Sequence, residues 1–235
     1  MSKRAVILAG GKGMRLRPYT VALPKPLVPI GETPILEIIV KQLVRDEFDH
    51  ITITVNHLAE VIKAFFGDGR KWGVKIDYSL EDSPLSTMGP LSLIPDLPRD
   101  FLVMNGDILS DLNYSAFLEK HIGSGSLFTI SSYKRAEKVD YGILKISEKD
   151  DLVGFQEKPS MHYDVSMGVY AVNQKILQFI PYNTRYGFDD LMLAMIREKN
   201  YPKVIHHAGY WLDIGRPDDY ERASKEADTI IKKLI

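Results

Sequence analysis

The chain has 235 residues with 45% apolar content, which suits one α/β domain, or a tight pair, around a sizeable core. Its 30 basic and 31 acidic residues leave a net charge of −1, which excludes the global field that would draw it to nucleic acid or a membrane. It contains no cysteine, which excludes disulfides and thiolate metal sites, and it shows no signal-peptide pattern, so we expect a soluble, cytoplasmic protein.

Apolar, β-branched runs alternate with helical periodicity through the first half of the chain. This alternation predicts an α/β fold with a Rossmann-like, mostly parallel sheet flanked by helices. The predicted strands of this half are Arg4–Ala9, His50–Val55, Lys75–Leu80 and Phe101–Asn105. The predicted crossover helices are Ile35–Arg45 and Leu58–Phe66.

The second half mixes further strands with two helices. The predicted strands are Ser126–Tyr133, Val165–Val172 and a hairpin of Tyr141–Ile146 with Leu152–Gln156. Helices are predicted over Phe188–Lys199 and Pro217–Leu234, the second with proline in its first turn. Because no linker rich in Gly, Ser or Pro interrupts the chain, we predict a single domain over residues 1–235.

A glycine-rich loop follows the first predicted strand. Three glycines in the four residues 10–13 leave the backbone N–H groups free to face a phosphate. The cations around this loop are Lys12, Arg15, Arg17 and Lys25. This composition indicates a phosphate-binding loop, and a plain flexible turn is the alternative.

Two common phosphate-binding patterns do not fit this loop. A GxxxxGK[ST] loop is excluded because Gly13, and no Ser or Thr, follows Lys12. The dinucleotide pattern GxGxxG is excluded because Leu16 occupies the third glycine position and Pro18 prevents a helix there.

Two aspartates are candidate metal ligands. Asp107 follows the strand Phe101–Asn105, at the sheet edge where ligands of open α/β sheets bind. Mg²⁺ uses one or two protein carboxylates together with substrate phosphates, so a second carboxylate from elsewhere in the chain is expected, and Asp213 is the candidate. Each aspartate alone is equally compatible with a cap or turn.

The opening loop resembles the motif of the sugar-phosphate nucleotidylyltransferases, or NDP-sugar pyrophosphorylases, which is Gly-Gly-x-Gly-x-Arg-Leu-x-Pro followed by Pro-Lys-Pro. The matching residues are Gly10, Gly11, Gly13, Arg15, Leu16, Pro18, Pro24, Lys25 and Pro26. The resemblance implies the nucleotide-diphospho-sugar transferase fold and a loop that wraps a triphosphate. It places Arg15 on the leaving pyrophosphate and Lys25 on phosphate oxygens near the reacting centre. The nucleotide-binding residues implied in this segment are Leu8, Ala9, Gly10, Gly11, Lys12, Gly13 and Met14.

Later segments extend the resemblance to the rest of the chain. The segments ending at Asp107 and surrounding Asp213 resemble the family's Mg²⁺ sites. Glu157-Lys158-Pro159 resembles the family's Glu-Lys-Pro motif, in which Glu binds sugar hydroxyls and Lys the sugar 1-phosphate. The implied sugar-binding residues are Asn105, Tyr141, Gly142, Glu157, Lys158 and Ser166. Ser166 departs from the family pattern, which has asparagine there, so sugar recognition is expected to differ.

The segment Leu80–Leu91 resembles the family's base-reading loop, and the residues implied to bind the nucleotide are Glu81, Pro84 and Gly89. Members that use uridine or thymidine triphosphate often have Gln where Glu81 stands. An ionised carboxylate only accepts hydrogen bonds, so it suits the adjacent N1–H and N2–H₂ donors of guanine and favours GTP. The alternative is that Glu81 is a solvated charge at the end of a strand.

The resemblance therefore implies a Mg²⁺-dependent enzyme that transfers a nucleotidyl group from GTP to a sugar 1-phosphate and releases pyrophosphate. The implied catalytic residues are Arg15, Lys25, Asp107, Lys158 and Asp213. Three alternatives stay open: an enzyme using UTP, dTTP or CTP, a non-catalytic nucleotide-sugar sensor, and an enzyme acting on a non-sugar phosphate.

The organisation that follows is one nucleotidylyltransferase domain with a weaker subdivision. Residues 1–110 form a nucleotide-binding half, 111–210 a sugar-binding half, and 211–235 a metal-ligand segment with a closing helix. The C-terminal β-helix found in some relatives is not expected. The sugar stays unassigned, with mannose 1-phosphate and a manno-heptose 1-phosphate both suitable, and a homodimer is a further possibility.

Overall fold

The computed structural model describes residues 2–235. The strands of this part of the chain are β1 Arg4–Leu8, β2 Pro29–Ile30, β3 Thr33–Pro34, β4 His50–Val55, β5 Lys75–Leu80, β6 Asp100–Asn105, β7 Ile108–Ser110, β8 Phe128–Lys138, β9 Ile143–Ile146, β10 Leu152–Gln156, β11 Ser160–Asn173, β12 Lys203–His207 and β13 Trp211–Asp213. The α-helices are α1 Ile35–Arg45, α2 Ala59–Phe66, α3 Tyr114–Ser124, α4 Phe188–Arg197, α5 Pro217–Lys225 and α6 Ala227–Leu234.

A seven-stranded sheet with the order β12-β8-β11-β6-β1-β4-β5 forms the centre of the fold. The pairs β12–β8, β6–β1, β1–β4 and β4–β5 are parallel. Only β11 in this sheet runs antiparallel to its neighbours, β6 and β8. The predicted α/β fold with a mixed, mostly parallel sheet is therefore confirmed.

Apolar side chains cover both faces of the sheet because alternate residues of a buried strand point to opposite sides. In β1, Ala5 and Ile7 join the core that includes α1 and α6. Val6 joins the core on the opposite face, where Leu191 and Met195 of α4 pack. The central strands are thus buried on both faces, and the polar residues of β1 and β6 lie at the ends of these strands.

The sheet edge at the carboxyl ends of β1, β4 and β6 holds the residues relevant to function. The glycine-rich loop follows β1, and short 3-10 helices at Met14–Leu16 and Lys25–Leu27 replace a longer helix after it. A two-stranded antiparallel pair, β7 with β13, lies just beyond β6 and aligns Asp213 with Ile108.

The structure also differs from the sequence-based prediction in several elements. The strand predicted over Ser126–Tyr133 extends to Lys138, and the strand predicted over Val165–Val172 begins at Ser160, because β8 and β11 pair as a long ladder. The predicted closing helix breaks at Glu226 into α5 and α6. Helix α3 has no counterpart in the prediction.

Among residues 2–235, no helix has the length and apolar character needed to cross a bilayer.

Candidate active site

A cleft of about 290 Å³ opens above the carboxyl ends of β1, β4 and β6. Its lining residues are Leu8, Gly10, Gly11, Thr54, Glu81, Pro84, Ser86, Thr87, Asn105 and Asp107. We call this space the nucleoside cleft. Seven of the residues proposed from the sequence are therefore brought together here, namely Leu8, Gly10, Gly11, Glu81, Pro84, Asn105 and Asp107.

A second, cation-rich cavity of about 390 Å³ adjoins the nucleoside cleft. Its lining residues are Gly11, Lys12, Gly13, Met14, Arg15, Lys25, Asp107 and Gly215. We call this space the cationic cleft. Gly11 and Asp107 line both clefts, so the two spaces meet at these residues.

The glycines of the loop allow side chains from other elements to approach the backbone closely. A β-carbon on Gly10 would lie 2.5 Å from Oε1 of Glu81, so a larger residue would displace this carboxylate. Gly13 has a φ of 59°, in the left-handed region that favours glycine, and its carbonyl accepts a hydrogen bond of 2.7 Å from Thr20 Oγ1. The loop is thereby fixed against Glu81 on one side and Thr20 on the other.

Lys25 and Asp107 form an ion pair at the junction of the two clefts. Both side chains are mostly buried, with 11% and 22% of their surfaces exposed. The pair thus places a cation and a carboxylate side by side where the two clefts meet.

Asp213 approaches this junction through the β7–β13 pair. The amide of Ile214 donates a hydrogen bond of 3.0 Å to the carbonyl of Asp107, which ties the two segments together. Partial desolvation and the negative charge of Asp107 raise the pKa of Asp213. The cationic side chains of Lys25 and Arg15 act in the opposite direction.

The repulsion between Asp107 and Asp213 is the electrostatic situation that a divalent cation relieves. Two carboxylate donors with room for phosphate oxygens fit the ligand set of Mg²⁺. Among residues 2–235 there is no group of three or more His, Cys, Asp or Glu side chains arranged for a metal, so a bound ion here would need ligands from substrate.

Glu81 is a buried carboxylate at the wall of the nucleoside cleft, with only 5% of its surface exposed. Its Oε2 accepts a hydrogen bond of 3.0 Å from the amide of Leu85. Burial raises the pKa of Glu81, and the Leu85 amide partly opposes this shift. Glu81 is therefore not the solvated strand-end charge that the sequence left as an alternative.

One buried polar atom that lines the nucleoside cleft has no hydrogen-bond partner among residues 2–235: Oδ1 of Asn105, the last residue of β6. Thr54 Oγ1, in β4, is a neighbour of the Glu81 carboxylate and acts to lower its pKa. Buried polar groups are nearly always satisfied, so unpaired ones in a cleft indicate positions where a ligand or water completes the bonding.

The residues predicted to bind the sugar fall into two groups. Asn105 lines the nucleoside cleft, whereas Tyr141, Gly142, Glu157 and Lys158 lie on or beside the exposed β9–β10 hairpin and line neither cleft. Within this group, a β-carbon on Gly142 would lie 3.3 Å from Oε2 of Glu157, so these two residues are neighbours.

Four further predicted residues also lie outside both clefts. Asp213 lines a separate cavity of about 320 Å³, together with Asp219 and Arg222. The Oγ of Ser166 donates a hydrogen bond of 3.2 Å to Tyr170 Oη and accepts one of 3.2 Å from the amide of Gly168. Ala9 is buried, and its amide donates to the carbonyl of Thr54 at 3.0 Å. Gly89 is buried against the Thr184–Tyr186 segment, and its amide donates to the carbonyl of Tyr186 at 2.9 Å.

Four residues of the site were missed by sequence reasoning. Thr54, Ser86 and Thr87 line the nucleoside cleft, and Asn56 donates a hydrogen bond of 2.6 Å to the carbonyl of Glu81. The position of Thr54 and Asn56 at the carboxyl end of a predicted parallel strand was a usable signal. Ser86 and Thr87 lie within the segment Leu80–Leu91 that resembles the base-reading loop, so that resemblance was their signal although neither was singled out. The amide of Phe188, in α4, donates to Thr87 Oγ1 at 2.8 Å and holds this loop.

The carboxyl edge of this mixed sheet thus carries a glycine loop, a cluster of cations and the carboxylates of Asp107 and Asp213. This arrangement is typical of α/β proteins that bind phosphate esters. A family model described as nucleotidyl transferase matches residues 4–229. The chain belongs to this family.

Three relatives illustrate the similarity. The chain is 30% identical to a UTP–glucose-1-phosphate uridylyltransferase of Synechocystis over 94% of its own length and 62% of that protein. It is 31% identical to the D-glycero-alpha-D-manno-heptose 1-phosphate guanylyltransferase of Aneurinibacillus thermoaerophilus, over 94% of this chain and 97% of that one. The crystal structure of HddC from Yersinia pseudotuberculosis matches with a TM-score of 0.75 and 26% identity, covering 96% and 99% of the two chains.

The same HddC complexed with GMP-PN matches with a TM-score of 0.71. The chain spans about three-fifths of the length of several curated relatives, including the Synechocystis protein at 62%.

Proposed function

We propose that the protein transfers a nucleotidyl group from a nucleoside triphosphate, with GTP preferred, to a sugar 1-phosphate and releases pyrophosphate. The observation that carries this proposal is the meeting of the two clefts at Gly11 and Asp107. One cleft offers buried hydrogen-bonding groups for a nucleoside, and the other offers cations for its phosphates. The reacting phosphorus would lie where they meet.

The chemistry requires positioning and charge neutralisation more than proton transfer. A phosphate oxygen of the acceptor is already anionic, so it attacks the α-phosphorus in line with the departing pyrophosphate without a general base. In this proposal Arg15 stabilises the leaving pyrophosphate, and Lys25 neutralises phosphate oxygens at the centre. The loop of residues 10–13 holds the triphosphate through its backbone N–H groups.

Asp107 and Asp213 would hold Mg²⁺, which supplies charge neutralisation to the phosphates when bound. The raised pKa of Asp213, caused in part by Asp107, supports this pairing because a cation between the two carboxylates removes their repulsion. When such a cation binds, Lys25 becomes available to a phosphate oxygen, since its present partner is Asp107.

The proposed preference for GTP depends on Glu81. Its Oε2 accepts from the Leu85 amide, while Oε1 lies against Gly10 at the cleft wall. An ionised carboxylate at this wall accepts from guanine, whereas uracil presents both a donor and acceptors and leaves one group unsatisfied. The guanylyltransferase names of several relatives support this choice, and the uridylyltransferase of Synechocystis supports UTP as the competing nucleotide.

The acceptor would contact Asn105 and the β9–β10 hairpin. Glu157 and Gly142 are neighbours, which supports their proposed joint role in binding sugar hydroxyls, with Lys158 on the 1-phosphate. Relatives named for mannose 1-phosphate and for a manno-heptose 1-phosphate make these two acceptors the first to test.

A pyrophosphate-release assay tests the proposal. The protein is incubated with Mg²⁺, one of GTP, UTP, dTTP, CTP or ATP, and either mannose 1-phosphate or the manno-heptose 1-phosphate, and the nucleotide sugar is identified by mass spectrometry. We expect equimolar pyrophosphate and nucleotide sugar, fastest with GTP. Faster product formation with UTP would contradict the base assignment alone. Nucleotide binding with no product from any pair would contradict transfer to these two acceptors and favour the non-catalytic alternative.

A further inference from the structure

The hairpin of β9 and β10 forms a two-stranded sheet of its own, apart from the central sheet. Its cross-strand pairs include Leu144 with Phe155 and Ile146 with Leu152. Directly paired residues project to the same side, so these four apolar side chains share one face of the hairpin. Between 55% and 62% of each is exposed. A cluster of exposed apolar side chains often marks a surface that binds another molecule.

Phe155 differs from the other three residues of this face because it lies beside residues already proposed to bind the acceptor. The point that a β-carbon of Gly142 would occupy lies 2.7 Å from Cε2 and 2.8 Å from Cζ of Phe155. The same point lies 3.3 Å from Oε2 of Glu157. One edge of the aromatic ring and the Glu157 carboxylate therefore approach Gly142 from the same side of the hairpin.

The residues that follow Phe155 form a turn that is attached to the end of β8. Lys158 has a φ of 43°, which reverses the direction of the chain after Glu157. The amide of Val139 then donates a hydrogen bond of 3.0 Å to the carbonyl of Pro159. This bond fixes the turn that carries Glu157 and Lys158 next to the ring of Phe155.

An aromatic ring beside a carboxylate matches the two kinds of surface that a closed sugar ring presents. The C–H groups on one face of a pyranose form an apolar patch that packs on an aromatic ring. The hydroxyls at its perimeter donate hydrogen bonds to a carboxylate. An open-chain alditol carries similar hydroxyls, but its carbon chain must lose torsional freedom before it can lie flat, which weakens its binding.

We propose that Phe155 is an acceptor-binding residue whose ring contacts the C–H face of a pyranose while Glu157 binds its hydroxyls, so that the site selects a closed-ring sugar 1-phosphate over an open-chain alditol phosphate. This proposal rests on the proposed function. It chooses between the sugar and non-sugar phosphates that the sequence left as alternatives.

A comparison of closed and open acceptors tests the proposal. Pyrophosphate release is measured with Mg²⁺, the nucleotide that is used fastest, and mannose 1-phosphate, the manno-heptose 1-phosphate or mannitol 1-phosphate, whose six carbons form an open chain. We expect kcat/KM for the better sugar to exceed that for mannitol 1-phosphate by about tenfold or more. Mannitol 1-phosphate used as well as, or better than, both sugars would overturn the inference and leave nucleotidyl transfer standing. Absence of turnover with all three would overturn the proposed function as well.

A matched pair of variants locates the contact at Phe155. Leu152 lies on the same face and is as exposed, but it pairs with Ile146 at the other end of the hairpin from Gly142. We expect Phe155→Ala to raise the KM of the sugar 1-phosphate by about tenfold and to lower the preference over mannitol 1-phosphate by a similar factor, with the KM of the nucleotide unchanged. Phe155→Tyr, which keeps the flat ring, and Leu152→Ala should both retain the wild-type values.

Two results with these variants would overturn the inference. The first is an equal KM for the sugar 1-phosphate in Phe155→Ala and Leu152→Ala. The second is a rise in the KM of the nucleotide that matches the rise for the acceptor in Phe155→Ala, because that result indicates a general disturbance of the site and no contact of the ring with the sugar.

Discussion

Glu81 is the residue on which the choice of nucleobase depends in this account. The side chain is buried, its Oε2 is held by the Leu85 amide, and its Oε1 faces the glycine loop. The sequence pattern identified the position, and the structure adds that the carboxylate is fixed and desolvated. A fixed acceptor discriminates between bases more strongly than a mobile one because it cannot turn to satisfy a base with a different hydrogen-bonding pattern, so a group is left unpaired.

Replacing Glu81 by glutamine changes an acceptor into a donor–acceptor pair of nearly the same shape. We expect Glu81→Gln to lower the ratio of kcat/KM for GTP over UTP by about tenfold or more, since a bidentate pair is worth about 1–3 kcal/mol of discrimination. Asp82→Asn provides the control, because Asp82 is exposed and lies outside both clefts. An unchanged ratio in Glu81→Gln would remove Glu81 from base recognition.

The pH dependence of base preference provides a second test at this residue. Burial raises the pKa of Glu81, so its neutral form, which both donates and accepts, becomes populated at a higher pH than for an exposed carboxyl. The ratio of kcat/KM for GTP over UTP is expected to fall as the pH is lowered from about 8 to about 5.5 in the wild type. In Glu81→Gln the ratio should stay flat, and an equal fall in both proteins would assign the effect to another group.

At the scale of elements, the site depends on a pairing that no pattern predicted. Strands β7 and β13 have three residues each, too short for a periodic signal, yet their pairing aligns Asp213 with Ile108 next to Asp107. The sequence identified both aspartates by their positions after apolar runs and by resemblance. That the two aspartates lie close together follows from the pairing of β7 with β13, which the sequence patterns do not show.

The elements predicted correctly are those with a strong apolar pattern, such as β1, β4 and α1. Helix α3 was missed because its sequence includes Ser115, Gly123 and Ser124, and one of its buried positions is His121. The outer halves of β8 and β11 are rich in exposed charged and polar residues, so they lack the alternation that marks a strand. The break between α5 and α6 at Glu226 contains neither glycine nor proline, so no helix-breaking residue marks it in the sequence.

The N-terminus of α3 gives a prediction that is independent of catalysis. Asn113 Oδ1 accepts a hydrogen bond of 2.7 Å from the amide of Ala116, which satisfies one donor of the first turn. We expect Asn113→Ala to lower the free energy of unfolding by about 1 kcal/mol in urea denaturation, while Asn113→Asp retains the cap. Turnover should be the same in all three proteins. An alanine variant as stable as the wild type would show that the cap contributes nothing.

At the scale of the whole molecule, two apolar cores on opposite faces of one sheet hold the site at its edge. The buried His121 joins α3 to the sheet: its Nδ1 lies 2.7 Å from Thr129 Oγ1, and its Nε2 lies 3.6 Å from Asp100 Oδ1. Burial lowers the pKa of His121, and Asp100 partly opposes this shift. The neutral imidazole is therefore the form that the folded protein favours.

Stability should consequently fall in mild acid. The unfolded chain binds a proton at His121 with a pKa of about 6.5, whereas the folded chain resists it, so stability is retained above that pH and lost below it. His121→Gln, which retains a partner for Thr129, is expected to show a smaller loss of unfolding free energy between about pH 7 and about pH 5.5. Identical pH slopes in urea titrations of the two proteins would exclude His121 as a source of the loss.

The most direct test of the central claim is the rate of pyrophosphate release by Asp107→Asn with saturating Mg²⁺, GTP and an accepted sugar 1-phosphate. This substitution keeps the shape of the side chain but removes the carboxylate that lies at the junction of the two clefts. We predict a fall in turnover of about a hundredfold or more with an unchanged melting temperature, and near wild-type turnover in Asp82→Asn. A folded Asp107→Asn protein that turns over at the wild-type rate would contradict the proposed nucleotidyl-transfer centre.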